Sequence, residues 1–431
     1  MAKRSTFARE LEDCLRAGRN LNRVLRKYQD YGPLRTVTDA RVVAKVLDHL
    51  VKIWPQQRAT QEEALVGGSA LHQLAAFFQS VGSKRAAEVL RDEGHPRLLR
   101  LYDLEYEADD HHPDEALFLL KIFAMYGQED GAQRIIQAAH DGFEADNFMW
   151  SVIFRELSAE AHPCRFLILD ALSEPLPKGF IAVTFLDFVN ELAVRGELRD
   201  HPFDTAIGRR LLRGWLMNPQ VEEYSYALSA TTSLPFIASP HRNKLLALAM
   251  DHADAKVQLE AAWASAKLGS TAGLKMLSRC CLDPHHCTTA CAYLEELKQA
   301  AMIPAPARTP NFQAMAEMCD WLAHPQEYGR PPEEIELYDT RVLFWPPTDD
   351  RRRLWLFKYV YREAGKQDET GVGLVGSVTF ALFGETTTAL SPEDIYALHC
   401  CWELEVNSDP RAPRKRTIAA GKKILSRYQK S

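Results

Sequence analysis

Between Cys280 and Cys291 the chain places Cys280, Cys281, His285, His286, Cys287 and Cys291, six side chains able to ligate a soft metal within twelve residues. Zinc takes a tetrahedron of thiolate and imidazole ligands. Cys281 with His285, and Cys287 with Cys291, are each four residues apart, a spacing that lets two ligands share one helical face. Pro284 stands between the pairs and interrupts any single helix that would carry both. Free cysteine also serves as a small apolar core residue. The expectation is therefore core packing with no metal and no cofactor; if a metal is held, Cys281, His285, Cys287 and Cys291 are its ligands.

Gly371-Val372-Gly373-Leu374-Val375-Gly376 has the lettering of the dinucleotide-binding motif G-x-G-x-x-G. That motif works because a helix begins behind the glycines and its N-terminus holds the pyrophosphate. Here Ser377 to Phe383 follows, rich in β-formers, so the glycines read as part of a strand or bulge. His399 and Cys400 set a base beside a thiol, but adjacent helical residues point apart. The chain contains no G-x-S-x-G, no Walker loop and no H-E-x-x-H. No catalytic residue is assigned, and a non-enzymatic role is expected.

Trp355, Phe357, Tyr359 and Tyr361 alternate along one segment beside Arg351-Arg352-Arg353, with Trp345 ending the segment before. Aromatics beside cations make a base-stacking platform, yet the same face serves equally as core or as a protein interface. The opposite face, Leu354, Leu356, Lys358 and Val360, is also largely apolar, so one of the two must find cover beyond a single helix. Candidate partner-binding residues are Trp345, Trp355, Phe357 and Tyr359, with Arg414, Lys415 and Arg416 from the basic C-terminal stretch.

The 431 residues are 46% hydrophobic and 26% charged, in the range of an ordinary soluble protein. Residues 410 to 431 hold eight Lys or Arg and no acid, and residues 1 to 35 hold nine against four; the net charge of -6 thus leaves -19 on the remainder. Duplex DNA needs a continuous basic track, so an acidic body with basic ends permits nucleic-acid contact at its termini only. The start of the chain shows no secretory signal, and no stretch is apolar enough to span a bilayer. Nine cysteines, with the adjacent pairs Cys280-Cys281 and Cys400-Cys401, do not resemble a disulfide framework and suit a reducing cytosol.

The elements that must position these residues are mostly helices. From Thr38 to Leu322 the period is helical, with candidates at 39–54, 69–81, 83–91, 113–126, 129–141, 148–158, 163–173, 180–194, 204–217, 221–233 and 244–251. In 254–282, Val257, Ala261, Ala264 and Leu268 share one stripe, Gly269 is a left-handed stop, and Ser270 can cap a second helix carrying Leu274, Leu277 and Cys281. This pair resembles a HEAT repeat of the armadillo type. The resemblance implies an α-solenoid whose second helices line a concave surface that holds a partner.

Past the proline-rich segment 303–310 the period changes. Segments 335–345, 353–361 and 372–383 read as a three-stranded antiparallel meander, and Ser391-Pro392-Glu393-Asp394 starts a helix bearing Ile395, Leu398 and Trp402. The expected architecture is mainly α: a basic helical segment (1–37), a HEAT-like solenoid (38–325) and a small α+β domain with a basic tail (326–431). The expected function is a cytoplasmic protein-interaction scaffold. Two alternatives remain: a nucleic-acid-binding solenoid similar to the HEAT-like DNA-repair glycosylases, acting through the basic tail, and an enzyme similar to the short-HEAT bilin lyases.

Overall fold

Short polar side chains cap the starts of several helices of this chain, and left-handed glycines close a few of them. The computed structural model describes residues 5–17, 21–28, 32–54, 69–108, 111–238, 241–363, 365–406 and 414–428, and it is mainly helical with one small antiparallel sheet. Two compact units divide it, Met1–Asn243 and Lys244–Ser431. Among the described residues no helix is long and apolar enough to cross a membrane.

The first unit contains α1 (Thr6–Ala17), α2 (Leu21–Leu25), α3 (Val37–Ile53), α4 (Ala70–Gln79), α5 (Lys84–Val89), α6 (His95–Tyr106), α7 (Pro113–Tyr126), α8 (Glu129–Asp141), α9 (Met149–Leu157), α10 (Arg165–Ser173), α11 (Gly179–Val194), α12 (Ala206–Leu216) and α13 (Tyr224–Ser233). Thr36, Ser69, Ser83 and Thr205 each accept the backbone N–H three residues on, satisfying one donor that a helix start leaves open. Helices α7 and α8 begin and end where the sequence pattern places them, and Gly127 and Gly142 close them in left-handed conformation. The pattern contains no expectation of α6. Pro96 interrupts it, but α5 runs into α6 through a π turn at Leu90–Gly94, and proline near a helix start costs no hydrogen bond. Helix α11 is the buried central helix expected from Phe180–Val189: every residue from Ile181 to Asn190 is buried except Asp187. Phe154, Phe185, Phe188 and Phe203 pack their rings there at centroid distances of 5.8 to 6.2 Å.

Helix α14 (His241–Met250) spans the division, and α15 (Ala255–Lys267), α16 (Thr271–Cys280), α17 (Cys287–Glu296) and α18 (Pro310–Leu322) follow. Asp254 and Ser270 cap α15 and α16, and Gly269 makes the left-handed step between them. The contact face differs from the expected stripe. Val257, Ala261 and Ala264 are buried but Leu268, past the last helical residue, is 36% exposed. The closest approach of α16 instead uses Gly273, whose added Cβ would sit 2.6 Å from Ala262 O and 2.7 Å from Ala266 N.

The sheet has four strands, not three, in the order β1 (Glu334–Trp345), β2 (Asp350–Tyr361), β3 (Glu369–Val375) and β4 (Phe380–Phe383), all antiparallel. Residues 372–383 do not continue as one strand because Gly376 adopts φ +108°, close under Arg353 O, and turns the chain so that Phe380 pairs with Leu374. The other two glycines of the dinucleotide-like lettering are packing positions. A Cβ on Gly371 would strike the Tyr359 ring, and one on Gly373 would strike the Met318 thioether of α18.

Both faces of the sheet are covered within this unit. Helix α18 packs Ala314, Met318 and Leu322 against Phe357, Tyr359, Tyr361 and Val375. On the other face, after the short α19 (Glu385–Thr388), helices α20 (Pro392–Glu403) and α21 (Arg414–Tyr428) cover Trp345, Leu354, Leu356, Val372 and Leu374. Ser391 caps α20 with proline at its first turn, as its sequence signals. Gly421 of α21 lies so close to Ala397 O of α20 that no Cβ fits between them.

Candidate functional site

Helix α12 turns Gly208, Leu212 and Leu216 inward. Its opposite face carries Ile207, Arg210, Gly214 and Met217 at i, i+3, i+7 and i+10, all exposed. Ile207 is 63% and Met217 56% exposed, and Val221, just past the helix, 68%. Arg213 lies beside the row, its Nε 3.3 Å from Met217 Sδ, and neither it nor Arg210 has a carboxylate partner among the described residues. Beyond its own helix backbone, no described atom lies within 4 Å of where a Gly214 side chain would begin.

The loop 201–205 fixes this helix in place. His201 Nδ1 accepts the Phe203 N–H at 3.2 Å, its Nε2 stands 3.2 Å from Asn190 Oδ1, and Asn190 Nδ2 donates to Ser229 O at 3.0 Å. With one nitrogen accepting, the proton sits on Nε2 and donates to Asn190. Burial pushes His201 down to about 4, with Asp204 pulling weakly the other way. The Asp204 carboxylate receives Arg209 Nη1 at 2.7 Å and the Ala238 N–H at 2.8 Å, and Thr205 caps α12. A cleft of about 630 Å³ beside the loop is lined by Glu174, Arg199, Asp204, Phe236 and Arg242, among others. Among the described residues it contains no nucleophile poised beside a base: Ser173 Oγ donates to Leu169 O, and His201 has both nitrogens engaged.

The metal quartet does not assemble. Cys281, Cys287 and Cys291 come together, with Sγ separations of 3.5 Å (281 to 291) and 3.8 Å (287 to 291), whereas His285 lies in the turn, its N–H on Asp283 Oδ1 at 3.0 Å. Among the described residues no group of three or more His, Cys, Asp or Glu is arranged to hold a metal. Burial, then the neighbouring thiols, pushes Cys281 up and Cys287 up to about 12. His399 and Cys400 do not pair either. His399 Nε2 lies 2.6 Å from Glu403 Oε1 and 3.1 Å from Val378 O, while Glu403 Oε2 accepts Trp345 Nε1 at 3.0 Å and Ser377 Oγ at 2.9 Å. Burial alone would raise Glu403, but these donors outweigh it and hold the carboxyl low. The network pins the β3–β4 turn to α20.

The aromatic residues divide. Trp345, Phe357 and Tyr359 are interior, at 0%, 0% and 1% exposure, while Trp355 is half-buried with its Nε1 on Asn311 Oδ1 at 2.9 Å. Arg414, Lys415 and Arg416 open α21 on the surface, Arg414 Nη1 reaching Thr387 Oγ1 at 3.3 Å. Arg416, Lys423 and Arg427, at i, i+7 and i+11, form one exposed row without an ion pair among the described residues. Arg411 and Lys430 lie outside the described residues.

No protein-family model matches this chain, and no curated protein or solved structure is significantly similar to it.

The outward row of α12 carries no motif that sequence reading would select. Its one signal is Ile207 and Met217 standing off the stripe Gly208, Leu212 and Leu216, which shows only once the buried side of the helix is known.

Proposed function

We propose that this protein is a non-enzymatic interaction scaffold: its helical pairs stack as a HEAT-like solenoid, and the outward face of α12 holds a protein partner. The observation that carries this reading is the row Ile207, Arg210, Gly214 and Met217, with large apolar side chains and a guanidinium that has no carboxylate partner among the described residues, left in water on a helix whose base is pinned by His201, Asp204 and Thr205. Exposed apolar patches of this kind mark interaction sites, and arginine is favoured where they bury. A glycine inside a helix costs up to about 1 kcal/mol against alanine, and Gly214 lies in the last turn of α12. Since no described residue crowds Gly214, a close-approaching partner backbone supplies the reason for it. Burial raises Cys164, Cys280, Cys319, Cys400 and Cys401 away from the thiolate form, which weighs against those thiols as lyase nucleophiles. The test is affinity capture of the full chain against the double variant Ile207→Glu/Met217→Glu, after nuclease treatment. A protein bound by the first and lost from the second is the expected result; identical captures would sink the α12 surface.

A second reading, nucleic-acid contact through the tail, is favoured by the row Arg416, Lys423 and Arg427 on α21. Labelled duplex titrated across salt concentrations tests it. Three phosphate contacts give a log-log salt slope of about -3. Binding that survives Lys423→Glu/Arg427→Glu, or is missing at low salt, removes this reading.

A further inference from the structure

Three sulfurs meet where α16 gives way to α17. Cys281 closes α16, Cys287 opens α17, and Cys291 stands one turn further along it. Cys281, Cys287 and Cys291 are free thiols, and Cys291 Sγ lies 3.5 Å from Cys281 Sγ and 3.8 Å from Cys287 Sγ. Access is unequal. Cys281 and Cys287 are buried at 0% and 3% exposure, whereas Cys291 is half-buried.

We propose that Cys281 and Cys291 are an oxidation site that closes to a disulfide, with Cys291 reacting first and a small peroxide as the oxidant. In the first step the Cys291 sulfur takes one peroxide oxygen; the O–O bond breaks, the thiol becomes a sulfenic acid and one water leaves. In the second the Cys281 sulfur attacks the sulfenic sulfur, the S–O bond breaks, and hydroxide departs with the Cys281 proton as a second water. Two thiols and one peroxide thus give one disulfide and two waters.

Helix geometry selects between the two neighbours of Cys291. Cys287 is on the same helix at i, i+4, where Cβ atoms stand about 5–6 Å apart. A disulfide needs about 3.5–4.5 Å between Cβ atoms, so that pair cannot close while α17 stays helical. Cys281 belongs to the preceding element, is the nearer sulfur, and is not subject to that constraint. Cys287, held neutral by burial, remains a hydrogen-bonding neighbour of the Cys291 sulfur. The bond would tie the end of α16 to the second turn of α17.

The experiment treats purified full-length protein with stoichiometric hydrogen peroxide, blocks remaining thiols with iodoacetamide without reductant, and maps the products by mass spectrometry. Cleavage before Asp283 separates Cys281 from Cys287 and Cys291. The expected result is that the two fragments travel as one until reductant is added, with Cys280, Cys287 and Cys319 alkylated and two hydrogens lost. Cys287→Ser retains the link and Cys291→Ser abolishes it, while the wild-type map stands independently of how the variants fold. Unlinked fragments, whether fully alkylated or bearing Cys291 as sulfinic or sulfonic acid, overturn the proposal, and so does a bridge through Cys287.

Discussion

His201 couples the stability of the first unit to acid. In the folded chain both imidazole nitrogens are committed, Nδ1 as an acceptor from Phe203 N–H and Nε2 as a donor to Asn190 Oδ1, so protonation of Nδ1 breaks the Phe203 bond inside a buried site. Burial holds this group down to about 4, while the unfolded chain exposes an ordinary histidine near 6.5. Between those values the unfolded state binds more protons, so stability rises with pH across the window and is fully present above it. For one such group the linkage relation gives a loss of about 2 kcal/mol from about pH 7.5 to about pH 5, approaching about 3 kcal/mol below the folded value. His95, also lowered to about 4 by burial, adds a similar loss, so the informative quantity is a difference between proteins. His201→Gln removes the titrating group. Urea unfolding of both proteins at the two pH values should show the variant weaker near neutrality but losing about 2 kcal/mol less on acidification. Equal pH dependence in the two proteins, or an imidazole that titrates by NMR near 6.5 in the folded chain, would refute the reasoning. The loop carrying His201 also sets the start of α12, so acid should weaken partner capture before the unit unfolds.

Three further outcomes follow from local geometry. Gly214→Ala should stabilise the free protein by about 1 kcal/mol, because the helix gains alanine propensity and nothing is crowded; a thermal midpoint that falls would mean the glycine serves an internal contact. Gly421→Ala forces a methyl group against Ala397 O and should cost about 1–3 kcal/mol as overpacking. Limited trypsin digestion reports it, through faster cleavage at Lys422, Lys423 and Arg427 than in the parent. Asp254→Ala removes the acceptor for the Lys256 and Val257 N–H groups at 2.7 and 3.1 Å and should cost about 1 kcal/mol in chemical denaturation, with Asp254→Ser restoring most of it.

The helices were legible because their determinants lie within a few residues of one another. Ser270 and Ser391 cap, Gly127, Gly142 and Gly269 stop, and Pro392 starts a helix through hydrogen bonds that reach no further than one turn. The break at Gly376 was harder to see, because it depends on the Arg353 carbonyl of a neighbouring strand. Helix α6 was hidden by Pro96, which a preceding π turn accommodates.

Which surface each element would cover was a tertiary question throughout. Alternation puts Trp355, Phe357, Tyr359 and Tyr361 on one face, but only the packing of α18 makes most of that face interior, and only α20 and α21 close the other. The six soft ligands from Cys280 to Cys291 are evident in the sequence; that three sulfurs converge and His285 does not depends on how the turn after α16 bends. The outward row of α12 is invisible without knowing which side of that helix is buried. Sequence alone determined most of the helices and those termini set by a local cap or glycine, since backbone bonds, caps and glycine torsions are short-range. The tertiary structure decided burial and exposure, because these depend on partners tens of residues away that compete for the same apolar face.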